Sequence, residues 1–524
     1  MTNCLTIAAS SSTDRVTPRG GRHLSHMGVA FALGLAVALW PGRVAPAHAA
    51  TFMVTTLADS GPGSLRQAIA DANPGDTITF GPGASSGTIT LTSGQLAVTK
   101  SLAIEGPGAA SLTISGNSAS RVFGVVAGAT ARIAGLTIVD GSASVKDGGV
   151  AGYFGGGVSN EGTLILDVVV VRDNIAAGIV NTGVLTITGS LISHNSGETT
   201  LPFAVPVATA GGIVNTGVLT LASSTVADNT AGTAPGYRYG NPPKGPDGGG
   251  IANGTGGVLT VVDSTIYGNK AGNGGYNDGG SVTGRAGAGG DGGGISDAAS
   301  AVATIVDSTI VGNAAGNGAT PGDQYDLPGA GGNGGGIYAD VGTNGNLSTG
   351  GVTVTNSVVA NNHPGAAGRP GPTGGDAPAG VGPDCNAIVS GGYTLVSDTS
   401  GCAISGDTTG DIVGRDPLLG PLQDNGGSTP TLLPYAGSPA IDQIPPDRCA
   451  AATDQRGQPR PADGGTGRAY CDIGAVEVNG AAPAPPPVTA TPELGSGELL
   501  ATGLLPLGLA LLMHRRRARG ARPR

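Results

Sequence analysis

Between residues 155 and 362 the chain repeats one pattern of apolar and polar positions six times. Each copy has a glycine cluster, a branched aliphatic residue, a short polar stretch, a run rich in Thr and Val, and an asparagine. The copies cover residues 155–174, 177–195, 211–229, 248–269, 292–313 and 334–362. A strand-forming unit of about 20 residues cannot bury an apolar face alone, so it is stable only when it stacks on further copies. The pattern therefore predicts an all-β solenoid.

A short amphipathic helix is predicted before the first repeat. Ser64 can cap this helix, and Leu65, Ala68 and Ile69 lie on one face of it. The sequence Asn-Pro-Gly at residues 73–75 ends it. A helix at this position would cover the open end of the solenoid, where apolar side chains and unpaired strand groups would otherwise meet water.

Insertions separate the later copies, and each falls after the asparagine and before the next glycine cluster. They occupy residues 196–210, 230–247, 270–291 and 314–333. Insertions accepted at one corner project from one side of a solenoid, and their Gly, Pro, Asn and Tyr content predicts mobile loops. Deletion of residues 272–290 is therefore expected to leave the fold nearly unchanged.

Tyrosines are concentrated in these loops, whereas the strands between them hold almost no aromatic residues. The loop tyrosines are Tyr237, Tyr239, Tyr276 and Tyr325. Their rings are candidate contacts for a surface glycan or a protein partner. The alternative is that they only order the glycine-rich loops.

Asparagines recur at equivalent places in successive copies. They are Asn174, Asn195, Asn229, Asn269, Asn313 and Asn361. Stacked asparagine side chains can hydrogen-bond along a column and tolerate a tight turn, which predicts a structural ladder. A polar ligand-binding column is the alternative.

Composition and charge narrow the function classes. The chain has 98 glycines, 3% aromatic residues, and 26 Lys plus Arg against 36 Asp plus Glu, for a net charge of −10. An acidic body repels nucleic acid and anionic membranes, because both need clustered cations. Neither is expected as a partner of the repeat region.

Residues 1–49 have the pattern of an export signal. Arg15, Arg19 and Arg22 precede an apolar run over residues 27–40, and Ala-His-Ala at 47–49 predicts cleavage before Ala50. A transmembrane helix is the alternative, but the run of about 14 apolar residues is short for a span.

Four cysteines remain after removal of the leader, an even number that favours disulfides outside the cytosol. They are Cys385, Cys402, Cys449 and Cys471. Pairing Cys385 with Cys402 and Cys449 with Cys471 closes the shortest loops, and it is one of three connectivities.

The carboxyl end has the pattern of a second targeting signal. A Pro-rich linker over residues 480–493 is followed by an apolar stretch over 499–513 and a cluster of arginines. Residues 494–524 resemble the PEP-CTERM type of bacterial sorting tail. The resemblance implies processing by a sorting enzyme, with membrane contact only through this segment. An uncleaved tail helix is the alternative.

Residues 384–479 carry three segments, DPLLGPLQDNGGSTPTLLPYAGSPAID, CAAATDQRGQPRPADG and CDIGAVE. These segments resemble the bacterial choice-of-anchor Q domain, and the glycine and asparagine spacing of the repeats is similar to that of polymorphic outer-membrane-protein repeats. The resemblance implies a right-handed parallel β-helix over residues 50–383, followed by a disulfide-bearing module, at the bacterial cell surface. It implies no catalytic activity.

Catalytic and metal-binding patterns are sparse. Between the predicted leader and tail the only histidines are His194 and His363, in different segments, so neither a zinc site nor a nucleophilic triad is indicated. No cofactor is expected. Asp263 and Asp307 stand at matching positions of neighbouring copies, so a bound Ca²⁺ is an alternative to a simple turn position.

An enzyme remains the second hypothesis. Parallel β-helices host polysaccharide lyases and glycoside hydrolases, whose sites need clustered carboxylates with a basic residue or a cation. Here no lysine or arginine of the repeats recurs beside a set of carboxylates. The sequence therefore favours a secreted, surface-anchored, non-catalytic protein in adhesion, glycan contact or envelope structure.

Overall fold

A computed structural model describes residues 49–143, 155–197, 210–236, 242–276, 284–322, 326–340, 351–371 and 374–486. The predicted leader up to residue 48, the end of the Pro-rich linker and the sorting segment 494–524 lie outside these ranges. The described residues from Ala49 onward form one compact unit.

In the described ranges the unit is a parallel β-helix with one α-helix, so the predicted fold class is confirmed. Sheet A contains β1 (Thr51–Val54), β2 (Thr77–Phe80), β5 (Leu102–Glu105), β8 (Thr130–Ala134), β11 (Thr163–Asp167), β14 (Val184–Thr188), β17 (Val218–Ala222), β20 (Val258–Val262), β23 (Val302–Val306), β26 (Gly351–Thr355), β28 (Ala387–Gly391) and β30 (Ala403–Asp407). Sheet B contains β3 (Gly87–Thr90), β6 (Leu112–Ser115), β9 (Thr137–Val139), β12 (Val170–Arg172), β15 (Leu191–Ser193), β18 (Thr225–Ala227), β21 (Thr265–Tyr267), β24 (Thr309–Val311), β27 (Val358–Ala360), β29 (Leu395–Val396) and β31 (Ile412–Val413). Sheet C contains β4 (Leu96–Val98), β7 (Phe123–Val125), β10 (Val158–Asn160), β13 (Ile179–Asn181), β16 (Ile213–Asn215), β19 (Ile251–Asn253), β22 (Ile295–Asp297) and β25 (Ile337–Ala339).

Each complete coil runs through sheets C, A and B in that order. Neighbouring coils pair in register, so like side chains stack: Leu185 pairs with Leu219, and Leu219 pairs with Leu259. These leucines are buried in one continuous apolar core. A column of aliphatic side chains fills a narrow interior without large rings, which explains a core with so few aromatic residues.

The predicted capping helix, α1 (Leu65–Asp71), is present at the amino end. The Ser64 hydroxyl accepts a hydrogen bond from the Gln67 amide at 3.2 Å, which satisfies one free N–H of the first turn. Leu65, Ala68 and Ile69 are buried against the first coils. The helix therefore closes the amino end of the core, as its apolar face predicted.

An asparagine ladder runs along the corner that follows sheet B. Each side-chain amide donates to the side-chain oxygen of the next coil at 2.9–3.0 Å, and that oxygen also accepts the backbone N–H of the preceding residue in the ladder. The members are Asn174, Asn195, Asn229, Asn269, Asn313 and Asn362, and the ladder ends on Asp384.

The structure corrects the last predicted member of this ladder. Thr309 pairs with Val358, which places Asn362 rather than Asn361 opposite Asn313. Asn361 is exposed in a left-handed conformation with φ 55°. The final copy ends in two asparagines, and only the strand register distinguishes them.

Two further ladders were not recognised from the sequence. Asn160, Asn181, Asn215 and Asn253 end strands of sheet C, and each donates to the next coil at 2.7–2.8 Å, with Asp297 as the last acceptor. A serine ladder follows sheet A, where each backbone N–H donates to the hydroxyl of the next coil. Its members are Ser190, Ser224, Ser264, Ser308 and Ser357. The recurrent Ile-x-Asn motif was the available signal for the first of these.

The later insertions form a bonded layer, not separate loops. In their described parts, the Gly316 amide donates to the Gly290 carbonyl, and the Gly290 amide donates to the Gly272 carbonyl, both at 2.8 Å. A Cβ added to Gly316 would lie 1.8 Å from the Gly272 carbonyl oxygen. We call the described parts of residues 242–247, 271–291, 314–333 and 364–381 the glycine layer.

The glycine layer changes the expected effect of a deletion. Removing residues 272–290 would delete Gly290, which accepts from the Gly316 amide, and Gly272, which accepts from the Gly290 amide. Glycine is required here because backbones approach too closely for any side chain, and not because the chain turns. The expectation that this deletion leaves stability unchanged is therefore replaced by an expected loss of stability.

Sheets A and B continue beyond residue 383 through β28–β31, so the solenoid extends to Val413. The disulfides are Cys385–Cys402 and Cys449–Cys471, the pairing that closes the shortest loops. Cys385 bridges to Ile337 of sheet C, so the first disulfide ties the last coils together. Only the second lies within the remaining carboxyl-terminal module, which includes the short antiparallel pair β32 (Ala462–Asp463) and β33 (Ala469–Tyr470).

Candidate functional site

The carboxyl-terminal module, residues 415–479, packs across the outer face of sheet B. Thr225 Oγ1 donates to the Pro430 carbonyl at 2.7 Å, and Thr265 Oγ1 donates to Gln455 Oε1 at 2.6 Å. The Ala475 amide donates to Thr309 Oγ1 at 3.0 Å. Outward threonines on three successive coils therefore bind a segment that follows them by more than 160 residues.

Charged side chains of the module's motifs hold its loops together. Asp454 is buried and pairs with Arg456 at 2.7 Å. Arg460 donates to the carbonyls of Asp472 and Gly474, while the Glu477 carboxylate accepts the backbone N–H groups of Ala462 and Asp472. Burial raises the pKa of Asp472 to about 8 and also raises the pKa of Glu477. These motif residues are structural ties in a module with little regular secondary structure.

Two solenoid carboxylates lie beneath this module, and we call Asp263 and Asp307 the carboxylate seam. They follow directly on Val262 and Val306, which pair in register, so they occupy neighbouring coils as predicted. Their relative exposures are 8% and 1%. One oxygen of Asp263 and both oxygens of Asp307 are buried without a donor at hydrogen-bond distance and angle in the described structure, although the Asn356 side chain lies near enough to lower the pKa of Asp307.

The seam is electrostatically strained. Burial raises the pKa of Asp263 to about 7, and Arg460 of the module opposes the rise while Asp307 and Asp454 add to it. Burial likewise raises the pKa of Asp307, again against Arg460. A carboxylate removed from water without donors is costly in its charged form. In the seam, burial therefore opposes the ionised form of both carboxylates.

The side chains of the seam do not by themselves supply a calcium site. Within the described ranges, no group of three or more His, Cys, Asp or Glu residues is arranged to hold a metal ion. Ca²⁺ takes six to eight oxygen ligands, so the two seam carboxylates would need several further donors. Calcium binding therefore stays a hypothesis from the sequence.

A second ionic cluster joins the glycine layer to sheet C. Lys244 Nζ lies 2.7 Å from Asp247 Oδ1 and 2.5 Å from Asp291 Oδ2, and 5.7 Å from the centre of the Tyr338 ring. We call these four residues the lysine cluster. The expectation that no repeat cation accompanies a carboxylate set is wrong for Lys244, and also for Arg132, which pairs with Glu105 and Asp167. Lys244 and Asp247 are only three residues apart in the sequence, but Asp291, from the next copy, completes the set.

The protonation states of the lysine cluster favour a structural tie. Burial alone lowers the pKa of Lys244, but the two carboxylates raise it above its ordinary value. Burial raises the pKa of Tyr338 as well. Both groups therefore keep their protons at neutral pH, and neither is poised as a general base. The carboxylates also accept backbone N–H groups, Asp247 from Asp291 and Asp291 from Asn333.

A polar cavity of about 160 Å³ lies on the outer side of sheet C near the amino end. Its lining includes Gln95, Arg121, Ser159 and Glu161. Arg121 donates to Gln95 Oε1 at 3.1 Å and to the Gly155 carbonyl at 2.9 Å. These bonds tie neighbouring coils together across the cavity.

The structure describes one of the four candidate binding tyrosines. Tyr276 is 55% exposed, and its ring covers Gly236, where an added Cβ would lie 2.5 Å from the ring. Tyr237, Tyr239 and Tyr325 lie outside the described residues. Within the described ranges, no helix is long and apolar enough to cross a membrane.

Comparisons with known proteins give two distant structural likenesses. No protein-family model matches the chain, and no curated protein matches it. Among solved structures, pectate lyase Pel9A is similar with 14% identity and a TM-score of 0.40, covering 82% of this chain and 98% of that one. The PL6 family alginate lyase AlyGC is similar with 11% identity and a TM-score of 0.28, covering 80% of this chain and 60% of that one.

Proposed function

We propose that the protein is a secreted β-helix, held at the bacterial cell surface, that acts without catalysis in adhesion, glycan contact or envelope structure. The observation that carries this proposal is the use of the repeated polar side chains. The asparagines and serines that recur in successive coils are buried and bonded to one another. They build a rigid rod and are not presented to a ligand.

The surface location rests on three features. Two disulfides favour an oxidising compartment. The leader and the PEP-CTERM-like tail supply export and sorting signals, and the carboxyl-terminal module resembles a domain of surface proteins. Intact-mass analysis of protein from the native envelope tests this reading. A surface form starting near Ala50 and lacking the terminal arginines is expected, whereas a species that retains them contradicts sorting.

The absence of catalysis is tested directly. The full chain is incubated with bacterial and plant polysaccharides, with and without calcium, and unsaturated and reducing ends are measured. No sustained release is expected, because Lys244 and Tyr338 keep their protons. Sustained release would transfer the assignment to the enzyme hypothesis.

A polysaccharide lyase or glycoside hydrolase is the second candidate function, and the lysine cluster is the observation that favours it. A lysine, a tyrosine and two carboxylates lie together there. If any release is found, Lys244→Met should abolish it, and Lys270→Met, outside the cluster, should not. Equal activity in both variants would remove the cluster from the reaction.

A further inference from the structure

The outer face of sheet A carries three straight columns of side chains from β14 to β26. Residue-by-residue pairing of these five strands aligns the columns. The first column is Val184, Val218, Val258, Val302 and Gly351, the second is Thr186, Thr220, Thr260, Thr304 and Thr353, and the third is Thr188, Ala222, Val262, Val306 and Thr355. The four valines of the first column are 40–44% exposed. We call these fifteen positions the neutral face.

The neutral face is uncharged in an acidic protein. None of its fifteen positions is ionisable, whereas the whole chain has a net charge of −10. Charges return at both ends of the same columns. Arg132, paired with Glu105 and Asp167, lies before β14, and Asp407 lies after β26. The uncharged surface therefore has defined limits.

The spacing of the neutral face is regular in two directions. Neighbouring strands lie about 4.8 Å apart, and outward residues along one strand lie about 6.7 Å apart. Hydroxyl and methyl groups therefore form a rectangular array. The leucine columns beneath it and the asparagine ladder beyond sheet B fix the backbone, so the array is held before any ligand arrives.

The dimensions and chemistry of this face exclude several occupants. Its area is about 500 Å², which is below the roughly 800 Å² per partner of a stable protein interface, so a second copy would bind poorly. It has no aromatic ring on which a sugar could stack. It has no charge to attract nucleic acid, an anionic glycan or a lipid headgroup. The occupant that remains is a ligand with an extended, uncharged and periodic surface.

We infer that the neutral face binds ice. The ice lattice excludes ions and repeats on a scale close to the column spacing, so it fits a rigid array without charges. Each threonine hydroxyl can donate one hydrogen bond and accept two, so it can take the place of a water at the lattice surface, which donates two and accepts two. The valine and threonine methyl groups fill the hollows between surface waters. Because the array is preorganised, many weak contacts add without a large ordering cost.

Ice binding goes beyond the proposed function, which would stand without it. The experiment freezes a dilute solution of the full chain slowly and measures the fraction incorporated into the ice, together with thermal hysteresis. Incorporation well above that of an inert soluble protein is expected. Incorporation no greater than that of the inert protein overturns the inference.

Variants locate the site. Thr220→Lys with Thr260→Lys places two charges at the centre of the face and should abolish incorporation. Thr88→Lys with Thr90→Lys is the matched control, because both threonines are exposed on β3 of sheet B, and it should bind like the wild type. Thr220→Val with Thr260→Val removes only hydroxyls, preserves strand packing and should weaken binding without unfolding.

Circular dichroism melts establish that each variant is folded. Equal incorporation of the wild type and the folded Thr220/Thr260 variants overturns the assignment of the face. Binding to an insoluble neutral polysaccharide that depends on these threonines, with no incorporation into ice, also overturns it. That second result would leave the non-catalytic surface role intact.

Discussion

The asparagine ladder and the carboxylate seam are both buried polar columns on successive coils, but they differ in hydrogen bonding. Asn229 donates to Asn269 and to the Ile192 carbonyl and accepts from Asn195. Asp307, equally buried, has no well-formed hydrogen bond on either oxygen within the described part of the chain. An amide both donates and accepts, so a column of amides satisfies itself, whereas ionised carboxylates only accept. Side-chain chemistry, and not burial, decides which column stabilises the fold.

The largest effect should come from breaking the ladder. Asn229→Leu leaves the Asn195 backbone N–H and one of its two side-chain N–H groups without an acceptor in the core. Each buried unsatisfied group costs about 1–3 kcal/mol, so a loss of about 4 kcal/mol in the free energy of unfolding is expected. Chemical denaturation measures it.

Asn361→Gly is the control for the ladder. Asn361 is exposed with φ 55°, a conformation that glycine adopts freely. Its stability should match the wild type. A large loss of stability in this variant would return the last coil to the register first predicted from the sequence, with Asn361 in the ladder.

The next effect should come from the glycine layer. Gly316→Ala places a methyl group against the Gly272 carbonyl oxygen, and such overpacking costs about 1–3 kcal/mol. Gly375→Ala, whose methyl would meet only a Leu327 side-chain atom at 3.6 Å, is the matched control. If Gly316→Ala melts at the wild-type temperature, the layer does not support the solenoid.

The seam gives a pH-dependent prediction. An acid whose pKa rises on folding stabilises the fold below its unfolded pKa and loses that contribution as pH rises through its folded pKa. For Asp263 this window runs from the ordinary value of 3.8 to about 7. Module docking should therefore weaken as pH rises through this window.

Asp263→Asn with Asp307→Asn should remove this dependence. Asparagine suits the position, because Asn356 occupies the same column on the next coil. The double variant should exceed the wild type by about 2 kcal/mol at pH 8 and match it near pH 4. Denaturation at both values measures this, and an equal difference at both would show that protonation is not the cause.

The smallest effect should come from the lysine cluster. Lys244→Met removes the partner of Asp247 and Asp291, but the lysine side chain is 40% exposed and water screens the pair. A loss of about 1 kcal/mol that shrinks with added salt is expected. A loss as large as that of Asn229→Leu would show that the lysine cluster stabilises the fold as strongly as the asparagine ladder does.

Much of the fold could be predicted from the sequence because the information repeats. A glycine cluster, an aliphatic residue and an asparagine, copied six times, determine coil length, core side chains and the ladder corner. Ser64 and the apolar face that follows it likewise predicted the capping helix. These features depend on residues close together in the chain, where local propensity and periodicity act directly.

Only the tertiary structure decided what depends on register and on distant contacts. Pairing of β24 with β27 distinguished Asn362 from Asn361. Asp291 reached Lys244 only because two insertions stack, and the glycine layer exists only where backbones of separate copies meet. The seam became buried because a module from the far end of the chain covers it. The sequence shows that a segment is rich in glycine or aspartate. The stacking of the coils determines which atoms that segment contacts.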